Sequence, residues 1–112
     1  MTQEKKLIID TKDYRGIRVI FTFDKWQEKS IQHPELQNKT FLKNLRETIE
    51  NPEEVWQDNN DKKHKLCYYR KYSTVSYVKV VIWITVKFCE VVTAYEIDKI
   101  KEVKYLKLKR LK

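Results

Sequence analysis

The side chains in this sequence best suited to chemistry are few and scattered. His33 stands in the run His33-Pro34-Glu35. An imidazole titrates near neutral pH, so it can take a proton from one atom and return it to another. Glu35 is a second, weaker base. Arg70 offers a planar fork that matches phosphate oxygens, and Lys79 offers a point charge. Thr93 and Tyr95 supply hydroxyls. The other histidine, His64, falls in the charged run DNNDKKHK at 58 to 65 and reads as plain surface.

Other chemistries are excluded. Neither histidine belongs to a Cys/His cluster or an HExxH motif, so no metal site is expected. A single glycine cannot build a Gly-rich phosphate loop, and there is no GxSxG elbow. No cofactor is implied. Lys and Arg number 24 against 16 Asp and Glu, for a net charge of +8 and a sequence pI near 9.4. That balance points to an anionic partner, with nucleic acid ahead of a membrane surface. The segment MTQEKKLIIDTK has no apolar signal core, and no run of apolar residues is long enough to span a bilayer. Cys67 and Cys89 lack CxxC spacing and read as reduced, packed thiols, which fits a cytoplasmic protein.

The elements that must position these groups centre on YVKVVIWITVKFCEVVTAYEI, residues 77 to 97. Successive strand side chains point to opposite faces. Val78, Val80, Ile82, Ile84 and Val86 make one aliphatic face, while Lys79, Val81, Trp83, Thr85 and Lys87 occupy the other. A turn near 87 to 90 returns the chain as VVTAYEI, with Val92 and Ala94 on one face and Val91, Thr93 and Tyr95 on the other. LCYYRKY at 66 to 72 predicts a further strand with Leu66, Tyr68, Arg70 and Tyr72 on one side. On this register Tyr68, Arg70, Lys79, Trp83, Thr93 and Tyr95 share a face. Cations, hydroxyls and stacking rings in one place suit RNA with unstacked bases.

Upstream, LII at 7 to 9 reads as a short edge strand, Asp13, Tyr14 and Gly16 as a turn, and IRVIFTF at 17 to 23 as a strand. Asp24 with Gln27 predicts a capping box opening a helix whose stripe holds Trp26, Lys29 or Ser30, and His33. Pro34 puts His33 at a bend and starts the next helical turn. A second helix is predicted over 39 to 51, with Phe41, Leu42, Leu45 and Ile49 as its apolar stripe and Pro52 as its stop. Residues 54 to 57 read as extended. From about residue 98 the sequence becomes a basic tail whose apolar positions fit neither period; it reads as extended or helical, or else as a solvated tail. Strand, two helices and an antiparallel meander make one α+β domain over residues 1 to 112.

W-x(6)-HPEL at Trp26 to Leu36, L-x(3)-IENPEEV at Leu45 to Val55, YYR at Tyr68 to Arg70 and VVTAY at Val91 to Tyr95 together resemble the phage-type nuclease-like domains of the barnase–EndoU–colicin–RelE superfamily. The resemblance spans about residues 17 to 96 and leaves the basic tail outside. It implies an N-terminal strand and helices packed on a four-stranded antiparallel meander sheet, and metal-independent cleavage of RNA through the 2′-OH. It also implies a toxin or phage-conflict role against tRNA or mRNA, checked by an acidic antitoxin or immunity protein. By position it implicates His33, Arg70, Thr93 and Tyr95 in catalysis, joined by Lys79 and Glu35 from the residue reading. Trp26, Lys29, Tyr68 and Trp83 are then the substrate-binding candidates. Where relatives often carry another histidine between the Trp and the HPE, this chain has Gln27, Glu28 and Lys29. The alternative is an inactive RNA- or DNA-binding module, or a protein-interaction module, on the same fold.

Overall fold

The computed structural model describes residues 6–105 and 108–112. The first five residues, and the tail positions Leu106 and Lys107, lie outside the described residues. In chain order the elements are β1 (Leu7–Lys12), β2 (Arg18–Thr22), α1 (Phe23–Gln32), a 3₁₀ turn (Pro34–Gln37), α2 (Lys39–Glu50), β3 (Glu54–Gln57), β4 (Lys65–Ser73), β5 (Ser76–Ile84), β6 (Cys89–Ile97) and a second 3₁₀ turn (Glu102–Lys104).

The strands form one sheet in the order β1-β2-β6-β5-β4-β3. The α+β expectation holds, but the sheet has six strands rather than four, and it is mixed. β3 to β6 are the antiparallel meander; β1 and β2 extend it as a hairpin, and β2 pairs parallel to β6 through Val19↔Cys89 and Ile20↔Glu90. The β1–β2 turn depends on Gly16, which sits at φ 85°, where a side chain is strained.

One helix start differs from expectation in its capping. Thr22, not Asp24, opens α1: its backbone is extended and its hydroxyl accepts the Lys25 N–H at 3.2 Å. Strand β2 therefore runs into α1 without a loop. Asn38 caps α2 by accepting from the amides of Thr40 and Phe41.

The aliphatic face of β5 does pack under α2. Val78, Val80 and Ile82 join Phe41, Leu45 and Ile49 in the main core, with Val19, Phe21, Val91 and Ala94. Burial of Cys89, Val91 and Ala94 on this one face breaks the two-residue period. Val81 pairs with Thr93 but Ile82 pairs with Val91, so Val92 is an extra residue, a β-bulge. It reverses the predicted grouping of β6: Val91 lies with Ala94 under the helix, and Val92 packs in a smaller cluster on the opposite face with Cys67, Tyr69, Val81 and Ile100.

The tail is not solvated. Ile100, Glu102 and Leu108 are buried. Leu111 N–H donates to the Val55 carbonyl at 2.7 Å and Gln57 N–H to the Lys109 carbonyl at 3.0 Å, so the last residues pair with β3 and close that sheet edge.

Ile82 is fully buried between β5 and α2. Ile82→Ala is expected to cost about 2–5 kcal/mol in a denaturant melt; a loss within experimental error would reject this packing.

Candidate active site

Beyond Glu90 the outer edge of β6 has no strand beside it, because β2 pairs only at its beginning. Helix α1 and the first 3₁₀ turn take that place. Lys25, Lys29 and His33 are spaced by four and share a side of α1. Lys25 lines a cleft with Val91 and Val92 at one end of β6, and His33 meets Tyr95 near the other. The helix side carrying two lysines and a histidine thus runs along β6. Lys25 and Lys29 are only 35% and 22% exposed at the side chain, and both pair loosely with Glu28.

His33 terminates α1 with φ −129° and ψ 81°, outside the helical region that Pro34 disfavours for the residue before it. Its N–H donates to the Lys29 carbonyl at 2.9 Å and its carbonyl accepts from Leu36 at 3.0 Å. The imidazole stacks on the Tyr95 ring, with centroids 4.6 Å apart and planes 15° from parallel. Lys79 Nζ approaches the same ring at 5.7 Å. Thr93, on β6 beside Tyr95, has a hydroxyl oxygen sealed from solvent without a hydrogen-bond partner among the described residues. A buried orphan hydroxyl costs about 1–3 kcal/mol and calls for a reason.

Lys79 is not an open phosphate cation. Its Nζ bonds Glu102 Oε1 at 3.1 Å, with side-chain exposures of 13% and 4%. The Tyr69 hydroxyl donates to the other Glu102 oxygen. Burial alone would raise the Glu102 carboxyl, but Tyr69 and Lys79 outweigh it and hold it below the ordinary carboxylate range. Burial likewise works against the Lys79 ammonium, yet its neighbours Cys67, Glu102 and Tyr95 hold it above the ordinary lysine value.

The grouping of Tyr68 and Arg70 with Lys79 does not hold. Directly paired strand residues share a face, and Tyr68 pairs with Val80 while Arg70 pairs with Val78, both on the α2 side. Arg70 is held there by Glu47 at 3.0 Å and the Asn51 carbonyl at 2.8 Å. Tyr68 is fully buried; its hydroxyl donates to Asp13 at 2.6 Å and accepts from Arg15 at 3.1 Å. Trp26 is half-buried against the core with its indole N–H on the Leu36 carbonyl at 2.8 Å. Glu35 accepts the Glu96 N–H at 3.4 Å, which clips the 3₁₀ turn to β6. The structure therefore brings together His33, Thr93, Tyr95 and Lys79 with Glu35 as an anchor, and takes Arg70, Tyr68 and Trp26 away.

Trp83 is on the site face but at the other end of the groove, 47% exposed, between its strand partners Lys65 and Glu90. The sequence reading missed three things here. His64 is exposed, as expected, but its Nδ1 bonds Asp61 at 3.0 Å and it lines the cleft over Trp83. The Asp61-x-x-His64 spacing was the available signal. Lys25 had a signal too, four residues before Lys29. Glu102 had none, because nothing local links the tail to Lys79.

Among the described residues no group of three or more His, Cys, Asp or Glu side chains is placed to hold a metal ion. Cys67 and Cys89 are free and buried, and burial pushes both thiols up, away from nucleophilic thiolate. No described helix is long and apolar enough to cross a membrane.

A family model, PBECR2, described as phage-Barnase-EndoU-ColicinE5/D-RelE like nuclease2, matches residues 3–112. The chain belongs to this family. The match includes the C-terminal tail, which the shorter motif resemblance had left out. PBECR2 is named as a nuclease-like family, and a nuclease acts on nucleic acid, in keeping with the +8 charge. No curated protein and no solved structure gives a significant match.

The Glu102 clamp has a pH signature. Its pKa is depressed on folding, so its stabilisation is present above the unfolded carboxylate value, 4.5, and is lost as pH falls through the lower folded value. Glu102→Gln should destabilise the protein most at neutral pH, and parent and variant melts should converge in acid; a gap that does not change with pH would reject the clamp.

Proposed function

We propose that this PBECR2 protein is an endoribonuclease that cleaves RNA by 2′-OH transesterification in the groove between α1 and β6, without a metal. One observation carries the reading: an imidazole fixed by its backbone lies flat on Tyr95 at an open sheet edge, beside an unpartnered Thr93 hydroxyl. His33 takes the 2′-OH proton as the ribose oxygen attacks phosphorus, and as the bond from phosphorus to the 5′ oxygen breaks, a solvent water acts as the acid that protonates that oxygen. Tyr95 donates a hydrogen bond to a phosphate oxygen, and Thr93 donates a second once bound RNA uncovers its hydroxyl, which is sealed in the free protein. Lys79, whose charge Glu102 already engages, orients Tyr95 rather than touching phosphate. Lys29, on the groove side of α1, is the better placed cation. Such a protein acts in the cytoplasm as a toxin or phage-conflict effector, and its basic surface suits an acidic antitoxin.

A second reading, nucleic-acid binding without turnover, is favoured by the same pairing of Arg70 and Lys79 with carboxylates and by the missing histidine at 27 to 29. The two readings part on product. Incubated with total RNA in EDTA, the parent should leave 2′,3′-cyclic phosphate ends, and His33→Ala should lose about 10²–10⁴-fold in rate while keeping its fold and most of its RNA affinity. Equal cleavage by His33→Ala removes His33 from catalysis. No cleavage of any RNA by the parent leaves the binding module.

Either reading requires phosphate contacts. The logarithm of RNA affinity should therefore fall linearly with the logarithm of salt concentration, and an unchanged affinity in a salt titration would exclude nucleic acid as the partner.

A further inference from the structure

The groove has a second built end. A cleft of about 510 Å³ opens over Trp83, walled by Lys25 from α1, by His64 and Lys65 from the chain entering β4, and by Glu90 and Val92 from β6. That volume is in the range of small-ligand sites. Its floor is unlike the rest of the surface. Trp83 is the exposed indole, whereas Trp26 and Trp56 are half-buried with their N–H groups on the Leu36 carbonyl and on Glu54. Lys65 and Glu90 are the direct cross-strand partners of Trp83, so cation, indole and carboxylate stand side by side on one face. His64 is oriented as well as present. Its Nδ1–H is taken by Asp61, which leaves Nε2 free for a ligand.

We propose that this cleft is a nucleotide subsite that takes one unpaired nucleotide of the RNA. Its base stacks on Trp83. Its phosphate is held by Lys65, and Nε2 of His64, an acceptor while Nδ1 carries the proton, takes a hydrogen bond from a ribose hydroxyl. Glu90, which only accepts hydrogen bonds, receives an N–H from the edge of the base. Stacking on an aromatic ring tolerates any base, so the subsite suits a single strand and excludes a duplex. Lys25 and His33 lie eight residues apart on α1, roughly 12 Å at 1.5 Å per residue. The cleft therefore cannot hold the phosphate that reacts beside His33. It holds a neighbouring nucleotide and draws the strand along the lysine side of α1. This inference rests on the reading of the groove as a nucleic-acid site and does not require that His33 cleave.

The probe is a nucleoside monophosphate, titrated against the full chain and followed by tryptophan fluorescence and calorimetry. The parent should show saturable quenching with matching heat. Trp83→Ala, at an exposed position, should keep its circular dichroism and lose both signals. Lys65→Ala should weaken binding about tenfold or more for the monophosphate and little for the free nucleoside. His33→Ala should bind as the parent does. Saturable binding that survives Trp83→Ala, or no binding by the parent at millimolar nucleotide, overturns the subsite. The two readings fail separately: RNA cleavage that is unaffected by Trp83→Ala sinks the subsite and leaves His33 standing, whereas nucleotide binding without RNA cleavage keeps the subsite and removes the nuclease.

Discussion

The arrangement of the site depends on one extra residue, Val92. A strand without a bulge that buried Cys89 and Val91 under the helices would also bury position 93 there and turn Ala94 outward. With the bulge, β6 buries Cys89, Val91 and Ala94, and Thr93 and Tyr95 turn to the face opposite α2. Tyr95 can then meet His33 from α1 and Lys79 from β5. A bulge also bends its strand and sharpens the local twist. It lies in the part of β6 where pairing with β2 has ended and α1 has taken over the edge. The break in pairing that leaves an edge open and the break in register that aims the hydroxyls fall on the same short segment.

The charges on the site face are divided in a way that net charge conceals. The tail is strongly basic, yet what it delivers into the sheet is an acid, Glu102, which meets the buried Lys79 and the Tyr69 hydroxyl. A lysine this enclosed needs such a partner, because a buried unpaired ammonium is far costlier than an exposed one. Once paired, it neither needs nor readily accepts a phosphate. The cations that remain half-exposed along the groove are Lys25, Lys29 and Lys65, on the helix and at the mouth of β4. Positive charge thus borders the groove, and its floor is made of rings and hydroxyls.

Much of this was legible from residues alone. The aliphatic face of β5 and the Phe41-Leu45-Ile49 stripe of α2 each had one period, and they were complementary, so their contact could be read without coordinates. The corner at His33-Pro34 followed from proline's effect on the residue before it. The β1–β2 extension and its parallel pairing to β6 were not legible, because pairing between residues 19–20 and 89–90 is set by packing and leaves no local pattern. Arg70 was misplaced for a related reason. The faces of β4 were grouped correctly within the strand, but which face meets α2 depends on the register between β4 and β5. The packing of the tail was not legible, because its charge hid three anchors, Ile100, Glu102 and Leu108, spaced to neither period.

The motif W-x(6)-HPEL explains itself once its contacts are followed. Trp26 and Leu36, its two ends, are joined by an indole N–H to carbonyl bond, and Leu36 is fully buried. Pro34 excludes the helical conformation at His33, so α1 must end there. Glu35 takes the Glu96 N–H and fixes the turn to the open edge of β6. Every other named residue of the motif therefore has a structural task, and those tasks converge on one result, the placement of the His33 ring over Tyr95. His33 itself adds little to that scaffold: its backbone bonds would be made by any residue, and its ring lies only half-buried at the edge. A local structure that constrains an imidazole so fully, while asking so little of it for stability, is what preorganisation for proton transfer requires.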